Sequence, residues 1–322
     1  MRTYILRRLL QTIPLLLGIS ALTFVLLQAA PGDFLNMMAE NPAISAETLE
    51  QMRKNFGLDR PWYVQYFVYL KNIFLHFDFG QSFSRHQPVF EVLKQGLANT
   101  LLLASAAMVI TWGLAIPLGV LAAVKQYSLQ DKALSLIAFV WLSIPEVLSG
   151  LLLLFLAAQT GWFPLGGMTS LDHDLMPPIQ RFWDLLRHLA LPALVVGLVP
   201  LAGRMRQMRG NLLDVLRLDY VTTARAKGLD EHVVIYKHAL RNALNPLITL
   251  FGFTLGSLVS GSFVAEFIFS WPGLGSITLE ALNTQDQYLV MGAVLMASTV
   301  LVLGNLIADL LLAVVDPRIS YD

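Results

Sequence analysis

Residues 101–124 read LLLASAAMVITWGLAIPLGVLAAV and contain no Asp, Glu, Lys or Arg. A helix needs about 20 consecutive apolar residues to cross the hydrocarbon core of a bilayer. In that environment only a helix or a closed barrel satisfies the hydrogen-bonding groups of the backbone. The stretch therefore predicts a transmembrane α-helix.

Five further stretches of the 322-residue chain meet the same requirement. The weakest has only fifteen uncharged residues between His188 and Arg204 and contains Pro192 and Pro200, so we expect its helix to continue past Arg204. Hydrophobic side chains make up 56% of the chain and charged ones 14%, whereas soluble domains are usually about 45 to 50% apolar. We therefore predict an all-α polytopic membrane protein with six transmembrane helices, at 9–30, 101–124, 133–158, 189–208, 243–269 and 288–315.

The distribution of basic residues predicts the topology. With six spans both termini lie on one side, and fourteen of the 22 Lys and Arg residues fall in segments on that side. The two short loops on the other side contain only Arg181 and Arg187. Since cytoplasmic loops are enriched in Lys and Arg, both termini are predicted to be cytoplasmic. The first apolar run is longer than the core of a signal peptide, which is typically about 7 to 15 residues, so we expect it to stay uncleaved.

The spans divide the chain into parts. The core includes a cytoplasmic loop, 204–241, with eight basic and four acidic residues. In chain order the parts are the N-terminal cytoplasmic end with the first helix (1–30), an extracytoplasmic segment (31–97), the transmembrane core (98–315) and a cytoplasmic C-terminal tail (316–322).

The extracytoplasmic segment is rich in Phe, Tyr and Trp, which predicts a small folded domain between the first and second helices. Ser45 ahead of Thr48 indicates a helix start, and apolar spacing indicates a helix over 61–77. The aromatic residues form either the core of a cap lying on the membrane or a docking surface for an extracytoplasmic partner.

Several chemistries are not supported by the composition. The chain has no Cys, which rules out disulfides, a thiolate nucleophile and Cys-ligated metal centres. Basic and acidic residues number 22 each, which leaves no overall field for nucleic acid. Only His232 and His238 are near one another among the six His residues, so no metal site is predicted. No G-x-S-G serine, H-E-x-x-H helix or pair of intramembrane aspartates is present, so no catalytic site is predicted.

The cytoplasmic loop has an internal order that a simple basic loop does not need. Asp219 is expected to cap a helix over 220–227, and Gly228 to end it in a left-handed conformation. Asp230 is expected to cap a second helix that leads into the fifth span. The pattern therefore predicts a helix-turn-helix unit at the cytoplasmic surface.

The sequence of this loop resembles a known family. Tyr220 to Leu229, YVTTARAKGL, followed by HALRNAL at 238–244 and Pro246, resembles the EAA loop of ABC importer permeases in its peptide and nickel transporter version. Thr223-Ala-Arg replaces the acidic signature, as is normal in that branch, and Glu146 stands where an apolar residue is more frequent. Further similar motifs are PGD at 31–33, GLD at 57–59, FGQS at 79–82, GWFP at 161–164, EFIFS at 266–270, PGLG at 272–275 and DPR at 316–318.

The resemblance, to the B-type permease of a dipeptide, oligopeptide or nickel importer, implies a type I ABC importer permease fold. It implies a bacterial or archaeal cytoplasmic membrane and half of a translocation pathway for peptides delivered by a solute-binding protein. The implied partners are a homologous C-type permease in a heterodimer, two cytoplasmic ABC ATPase subunits, the extracytoplasmic binding protein and membrane lipid, without nucleic acid. No Lys follows a Gly, so the chain has no phosphate loop of its own. ATP and Mg would bind to the ATPase subunits, and no cofactor is expected in this chain.

Two alternatives remain at the level of the sequence. The same type of permease also serves nickel, glutathione and opine systems. A different class, an ion-coupled secondary transporter or channel, would suit six spans with intramembrane carboxylates. That class gives no reason for a capped helix-Gly-helix unit.

Residues are assigned from the resemblance and from the cost of ionisable groups inside spans. Arg225 and Lys227 form either charged contacts with the ATPase or a solvated face, and Glu146 either lines the substrate path or is held by a neighbouring helix or the partner permease. Asp309 is expected to pair near the inner end of the last span. The predicted ATPase-coupling residues are Tyr220, Thr223, Ala224, Arg225, Ala226, Lys227, Gly228 and Leu229, and the predicted pathway or gate residues are Glu146, Glu266 and Phe269.

Overall fold

The computed structural model describes residues 2–32, 34–39, 44–248, 250–251, 254 and 261–315. Within these ranges the chain is helical, and the extended pairing is limited to an isolated bridge between Gln81 and Pro88. The chain divides into two compact units, which are described separately. The first consists of the described residues of Met1–Thr100 and Pro272–Val302, and the second of those of Leu101–Trp271 and Leu303–Tyr321.

The helices follow one another with short connections. A 3₁₀ helix, His173–Leu175, precedes α8, and a π-helical turn, Val234–Ala239, separates α10 from α11. In chain order the α-helices are α1 (Arg2–Ala29), α2 (Phe34–Ala39), α3 (Ala46–Asn55), α4 (Trp62–His76), α5 (Val89–Val124), α6 (Leu129–Ser143), α7 (Glu146–Thr160), α8 (Pro178–Leu216), α9 (Asp219–Ala226), α10 (Glu231–Val233), α11 (Leu240–Ala243), α12 (Phe263–Ile268), α13 (Leu274–Asn283) and α14 (Gln287–Val315).

Four helices are long and apolar enough to cross a membrane: α1, α5, α8 and α14. They contain the predicted spans at 101–124, 189–208 and 288–315 and all but the last residue of the span at 9–30. The expectation that the fourth span continues past Arg204 is confirmed, since α8 runs to Leu216 with both internal prolines. Nine residues of the predicted fifth span, 243–269, lie outside the described residues, namely 249, 252–253 and 255–260, so the number of six spans stays a prediction.

The predicted third span, 133–158, is not one continuous helix. α6 and α7 are bent by 107° at the break between them. Pro145 offers no N–H to a preceding helix, and a residue before proline is driven out of helical geometry. Ile144 has the extended backbone that results, with φ −87° and ψ 124°. The two helices together pass the test for a single, broken span.

The first unit has an aromatic and aliphatic core. Buried side chains from α1, α4, α5, α13 and α14 form one cluster that includes Phe24, Tyr69 and Leu93. Ser45 caps α3 by accepting the N–H of Thr48 at 3.2 Å, as expected. Tyr69 is buried, and this burial raises the pKa of its hydroxyl. Aromatic residues of the segment 31–97 are therefore part of the hydrophobic core of this unit. The position of that segment outside the membrane stays a prediction.

A buried carboxylate holds the FGQS motif of the first unit. Asp286 is fully buried and accepts the hydroxyl of Ser82 at 2.6 Å and the N–H and hydroxyl of Ser84, both at 3.0 Å. The N–H of Leu289 donates to its other oxygen at 3.2 Å. Burying a charge is tolerated where hydrogen bonds satisfy it. The serines therefore fix the chain ahead of α5 to the start of α14.

The second unit is organised around α8, which packs against α6, α7 and α12. Arg209 of α8 donates to both oxygens of Asp131 at the start of α6, at 2.6 and 2.8 Å. Glycines allow close helix approach: a Cβ at Gly119 of α5 would lie 2.7 Å from the carbonyl oxygen of Met205 and 2.6 Å from the Cβ of Met208. Small residues at such contacts are typical of helix packing in membranes.

We expect Gly119→Ala to lower the free energy of unfolding of the detergent-solubilised protein by about 1 to 3 kcal/mol, because the added methyl group overlaps α8. The midpoint of thermal unfolding should fall accordingly. The matched change Gly113→Ala lies on the same helix, where a Cβ meets nothing within 4 Å. There we expect unchanged or slightly higher stability, since Ala is the better helix former. Thermal unfolding followed by size-exclusion chromatography measures both, and equal midpoints would contradict the packing argument.

Candidate coupling site and intramembrane carboxylates

The predicted helix-turn-helix unit is present and begins at α9. Leu218, with extended backbone, occupies the N-cap position and provides no side-chain cap. Asp219 was expected to be the cap but is the first residue of the helix, so that expectation is wrong in its register. A carboxylate in the first turn still interacts favourably with the positive end of the helix.

The turn at Gly228 has the geometry that the sequence predicts. Gly228 has φ +75°, and its N–H donates to the carbonyl of Arg225 at 2.9 Å. The N–H of Leu229 reaches back to the carbonyl of Ala224 at 3.4 Å. This pair of bonds is a Schellman motif, which satisfies carbonyls left open at the helix end. A residue with a Cβ would be strained at this φ.

A second set of contacts closes the turn from the other side. Asp230 caps the next helix by accepting the N–H of His232 at 2.8 Å, as predicted. Arg225 donates to both oxygens of Glu231, its shortest contact being 2.7 Å. This hydrogen bonding lowers the pKa of Glu231 and raises that of Arg225. The pair therefore adds stability above the ordinary pKa of Glu231, 4.5, and loses it as the pH falls through the lowered value.

Apolar packing and two side-chain hydrogen bonds join the helices into one unit. Val221 of α9 and Val234 of the π-helical turn are fully buried. Asn242 donates to the hydroxyl of Tyr220 at 2.7 Å, which links α11 to α9. Asn211 of α8 donates to the carbonyl of Ala243 at 3.3 Å. The unit is thus connected to α8 both along the chain and through its far end.

The predicted coupling residues lie within 220–229 and occupy two faces of this segment. Ala224 is buried beneath the unit, and Tyr220 is partly covered by its bond to Asn242. Leu229 is 42% exposed although it is apolar. The remaining predicted residues, Thr223, Arg225, Ala226, Lys227 and Gly228, are also exposed.

The three predicted pathway residues have different surroundings in the second unit. Glu266 is fully buried on α12 and accepts the hydroxyl of Ser262 at 2.9 Å. Phe269 is 1% exposed, and its carbonyl accepts the N–H of Gly167 at 2.9 Å. Glu146, the first residue of α7, is half-buried, and its Oε1 has no hydrogen-bond partner among the described residues. Of these three residues, Glu146 is the least buried in this unit.

Residues that the sequence reasoning missed hold the site together. Glu231, Asn242 and Asn211 provide polar contacts of the coupling unit, and none was singled out beforehand. Opposite charges on both sides of the predicted Gly228 turn could have indicated the pair of Arg225 and Glu231. The other two contacts join residues far apart in sequence and left no such signal.

A polar cluster at the start of α8 was also missed. The carboxylate of Asp184 accepts the N–H of Ser170 at 3.0 Å and contacts His173 Nδ1 at 2.7 Å and His188 Nδ1 at 3.3 Å. Across the part of the chain that the structure describes, no group of three His, Cys, Asp or Glu residues is arranged to hold a metal ion. The cluster therefore fixes the loop between α7 and α8 to the helix that follows it.

The chain matches two known protein families. Residues 115–321 match the binding-protein-dependent transport system inner membrane component family, and residues 1–104 match the N-terminal family of the same membrane component. The chain therefore belongs to the family of inner membrane components of binding-protein-dependent transport systems. It is an integral membrane protein and a permease subunit of an ABC importer.

Curated relatives are similar over the whole chain. The oligopeptide transport system permease protein AppB of Bacillus subtilis is 43% identical, with 100% of both chains covered. The dipeptide transport system permease protein DppB of Escherichia coli K12 is 38% identical, and the di/tripeptide permease DppB of Pseudomonas aeruginosa is 37% identical, each over 100% of this chain and 99% of the relative. A solved structure of the MetNI methionine ABC transporter is 21% identical, with a TM-score of 0.49, over 69% of this chain and 97% of that chain.

We expect Gly228→Ala to cost about 1 kcal/mol at the turn, because a Cβ there meets nothing within 4 Å and the cost is backbone strain alone. Hydrogen-deuterium exchange of peptides covering 219–243 should accelerate about fivefold if local opening governs exchange. Gly161→Ala is the control, since Gly161 has φ +66° and equally open surroundings but lies at the end of α7. It should leave exchange in 219–243 unchanged, and an equal effect of both variants would contradict the assignment.

Proposed function

We propose that this chain forms half of the translocation pathway of an ATP-driven importer for di- or oligopeptides. The transported class is supported by the names of its full-length relatives, which are oligopeptide, dipeptide and di/tripeptide permeases. Membership of a binding-protein-dependent family supports delivery of the peptide by an extracytoplasmic solute-binding protein.

The sequence lacks an ATP-binding motif, so an ATP-driven importer needs further subunits that bind ATP. No Lys follows a Gly, so a phosphate loop of the Walker type is absent from the chain. We propose that two cytoplasmic ATPase subunits bind ATP and Mg and that this chain has no enzymatic activity of its own. A homologous C-type permease completes the pathway as a heterodimer. The distribution of basic residues supports a cytoplasmic location for both termini.

The geometry of the coupling unit is the main support for the proposed mechanism. The Schellman turn, the pair of Arg225 with Glu231 and the bond between Tyr220 and Asn242 make a compact element at its tip. The bond from Asn211 fixes the opposite end to α8. If the exposed tip is displaced, the coupling unit would therefore move as a rigid body, and this movement would reach the membrane-spanning part of α8.

We propose that the exposed segment from Thr223 to Leu229 docks into a groove of the ATPase. Leu229 would supply an apolar contact, since 42% of it is exposed at the tip. Arg225 is already paired within the unit, so Lys227 is the better candidate for a charged contact with the ATPase. Closure of the ATPase pair on ATP would then be transmitted through α8 as alternating access. Glu146, Glu266 and Phe269 stay predictions for the pathway or its gate.

Leu229→Asp is expected to abolish most co-purification of the ATPase and most peptide uptake, because it places an uncompensated charge in an apolar contact. The control Leu218→Asp changes a Leu of similar exposure, 48%, at the other end of α9. Asp is a favourable N-cap residue, so this control should fold and keep the ATPase. Affinity purification from membranes followed by quantitative mass spectrometry gives the outcome, and equal retention in both variants would count against docking at the tip.

The proposed substrate has a separate test. Cells that depend on this importer should accumulate labelled dialanine, and unlabelled di- and tripeptides should compete for its uptake. Because a metal ion has no peptide backbone and glutathione has a γ-glutamyl bond in place of the first α-peptide bond, nickel and glutathione should compete poorly at the same concentrations. Uptake of nickel or glutathione in place of dialanine would replace the peptide assignment while leaving the coupling unit unaffected.

A further inference from the structure

A polar cavity lies between α6 and α8 in the second unit. Its volume is about 490 Å³, and it is separate from the coupling unit and from the predicted pathway residues. Its lining combines two guanidinium groups, an amide, a hydroxyl and one aromatic ring. The residues are Ser135, Phe139, Gly203, Arg206, Gln207 and Arg209.

The two arginines of this cavity differ in their charge balance. Arg209 is neutralised by Asp131, which accepts both of its hydrogen bonds, and that pair also fixes its orientation. The guanidinium of Arg206 lies 4.4 Å from the centroid of the Phe139 ring. Among the described residues Arg206 forms no ion pair. The cavity therefore has one excess positive charge, which favours an anionic ligand.

The apolar surface beside the cavity narrows the class of anion. Leu136, Phe139 and Val140 of α6 are each about half exposed or more. Leu136 and Val140 are four residues apart and so lie on one stripe of the helix. A polar, positively charged cavity next to an exposed apolar stripe matches a molecule with an anionic head and hydrocarbon chains. An inorganic anion would use the cavity and leave the stripe uncovered.

The position along the chain fits the same ligand. The cavity lies against the middle of α6, where Ser135 is two residues past the predicted start of the third span at 133, and against the second half of α8, on the side that the distribution of basic residues predicts to be cytoplasmic. Phospholipid phosphates lie at this depth, where a span leaves the hydrocarbon core. Basic pockets between transmembrane helices on the cytoplasmic side are suited to anionic headgroups.

We propose that this cavity binds the phosphate group of an anionic phospholipid. Arg206 provides the charge and a planar pair of N–H donors, which suits phosphate oxygens. Gln207 and Ser135 provide further donors, and the acyl chains lie along Leu136 and Val140. The lipid bridges α6 and α8 beside the ion pair of Asp131 and Arg209.

The test uses the full chain in the complex in which it is purified from the membrane. The complex is incorporated into nanodiscs of phosphatidylcholine with and without phosphatidylglycerol, and the lipid that remains bound after detergent extraction is counted by native mass spectrometry. We expect the complex to retain phosphatidylglycerol in preference to phosphatidylcholine. Arg206→Gln should reduce this retention about fivefold, and Arg206→Lys should restore most of it because the charge is kept.

Two glycine variants separate binding from folding. A Cβ at Gly203 or at Gly210 of α8 meets nothing within 4 Å, so Leu should be accommodated at either position. Gly203 lines the cavity and Gly210 does not. Gly203→Leu should therefore fill the cavity and displace the lipid with all charges intact, whereas Gly210→Leu should retain it.

Three outcomes would overturn the proposal. Equal retention of phosphatidylglycerol and phosphatidylcholine would show that the site does not select an anionic headgroup. Thermal stabilisation of the detergent-solubilised complex by inorganic phosphate, lost in Arg206→Gln and without lipid retention, would identify a free phosphate as the ligand. Equal lipid retention in Gly203→Leu and Gly210→Leu would show that the lipid binds elsewhere on the protein.

Discussion

The structure depends on one constraint: inside a bilayer the backbone has no water to bond with, so each polar group needs a partner within the protein. Long helices meet this demand, and they account for α1, α5, α8 and α14. Where the chain leaves helical geometry, specific groups take over. At Pro145 the chain bends by 107°. Outside the predicted spans, at Gly228, a Schellman pair satisfies the carbonyls of the last turn of α9.

Buried charges also need partners, and three buried carboxylates are satisfied by groups close to them. Asp286 receives donors from two serines and the start of α14. Asp184 is surrounded by Ser170 and two histidines, and Asp131 accepts a bidentate arginine. These groups fasten loops and helix starts to the long helices, because an unpaired buried charge would cost several kcal/mol. Arg206 differs from them, since it is exposed and contacts the Phe139 ring without forming an ion pair among the described residues, and we propose that a lipid phosphate balances its charge.

The coupling unit illustrates how far local sequence signals extend. Gly228, Asp230 and the approximate bounds of α9 could be predicted, because caps and left-handed turns depend on residues within a few positions of one another. The cap at Asp219 was misplaced by one position, since helix ends shift easily by that amount. The bond from Asn242 to Tyr220 and that from Asn211 to Ala243 could not be predicted, as they join separate helices. Those bonds decide whether the unit moves as one body.

The sequence by itself determined the class of fold, four membrane-crossing helices, the family and the turn of the coupling unit. Hydropathy, charge distribution and capping are properties of single segments, so no tertiary information was needed for them. Only the tertiary structure decided that Glu266 and Phe269 are buried while Glu146 is half-buried, and that Arg206 and Arg209 line one cavity. These features depend on which helix faces pack together. The sequence of one helix does not specify which other helix will cover its face.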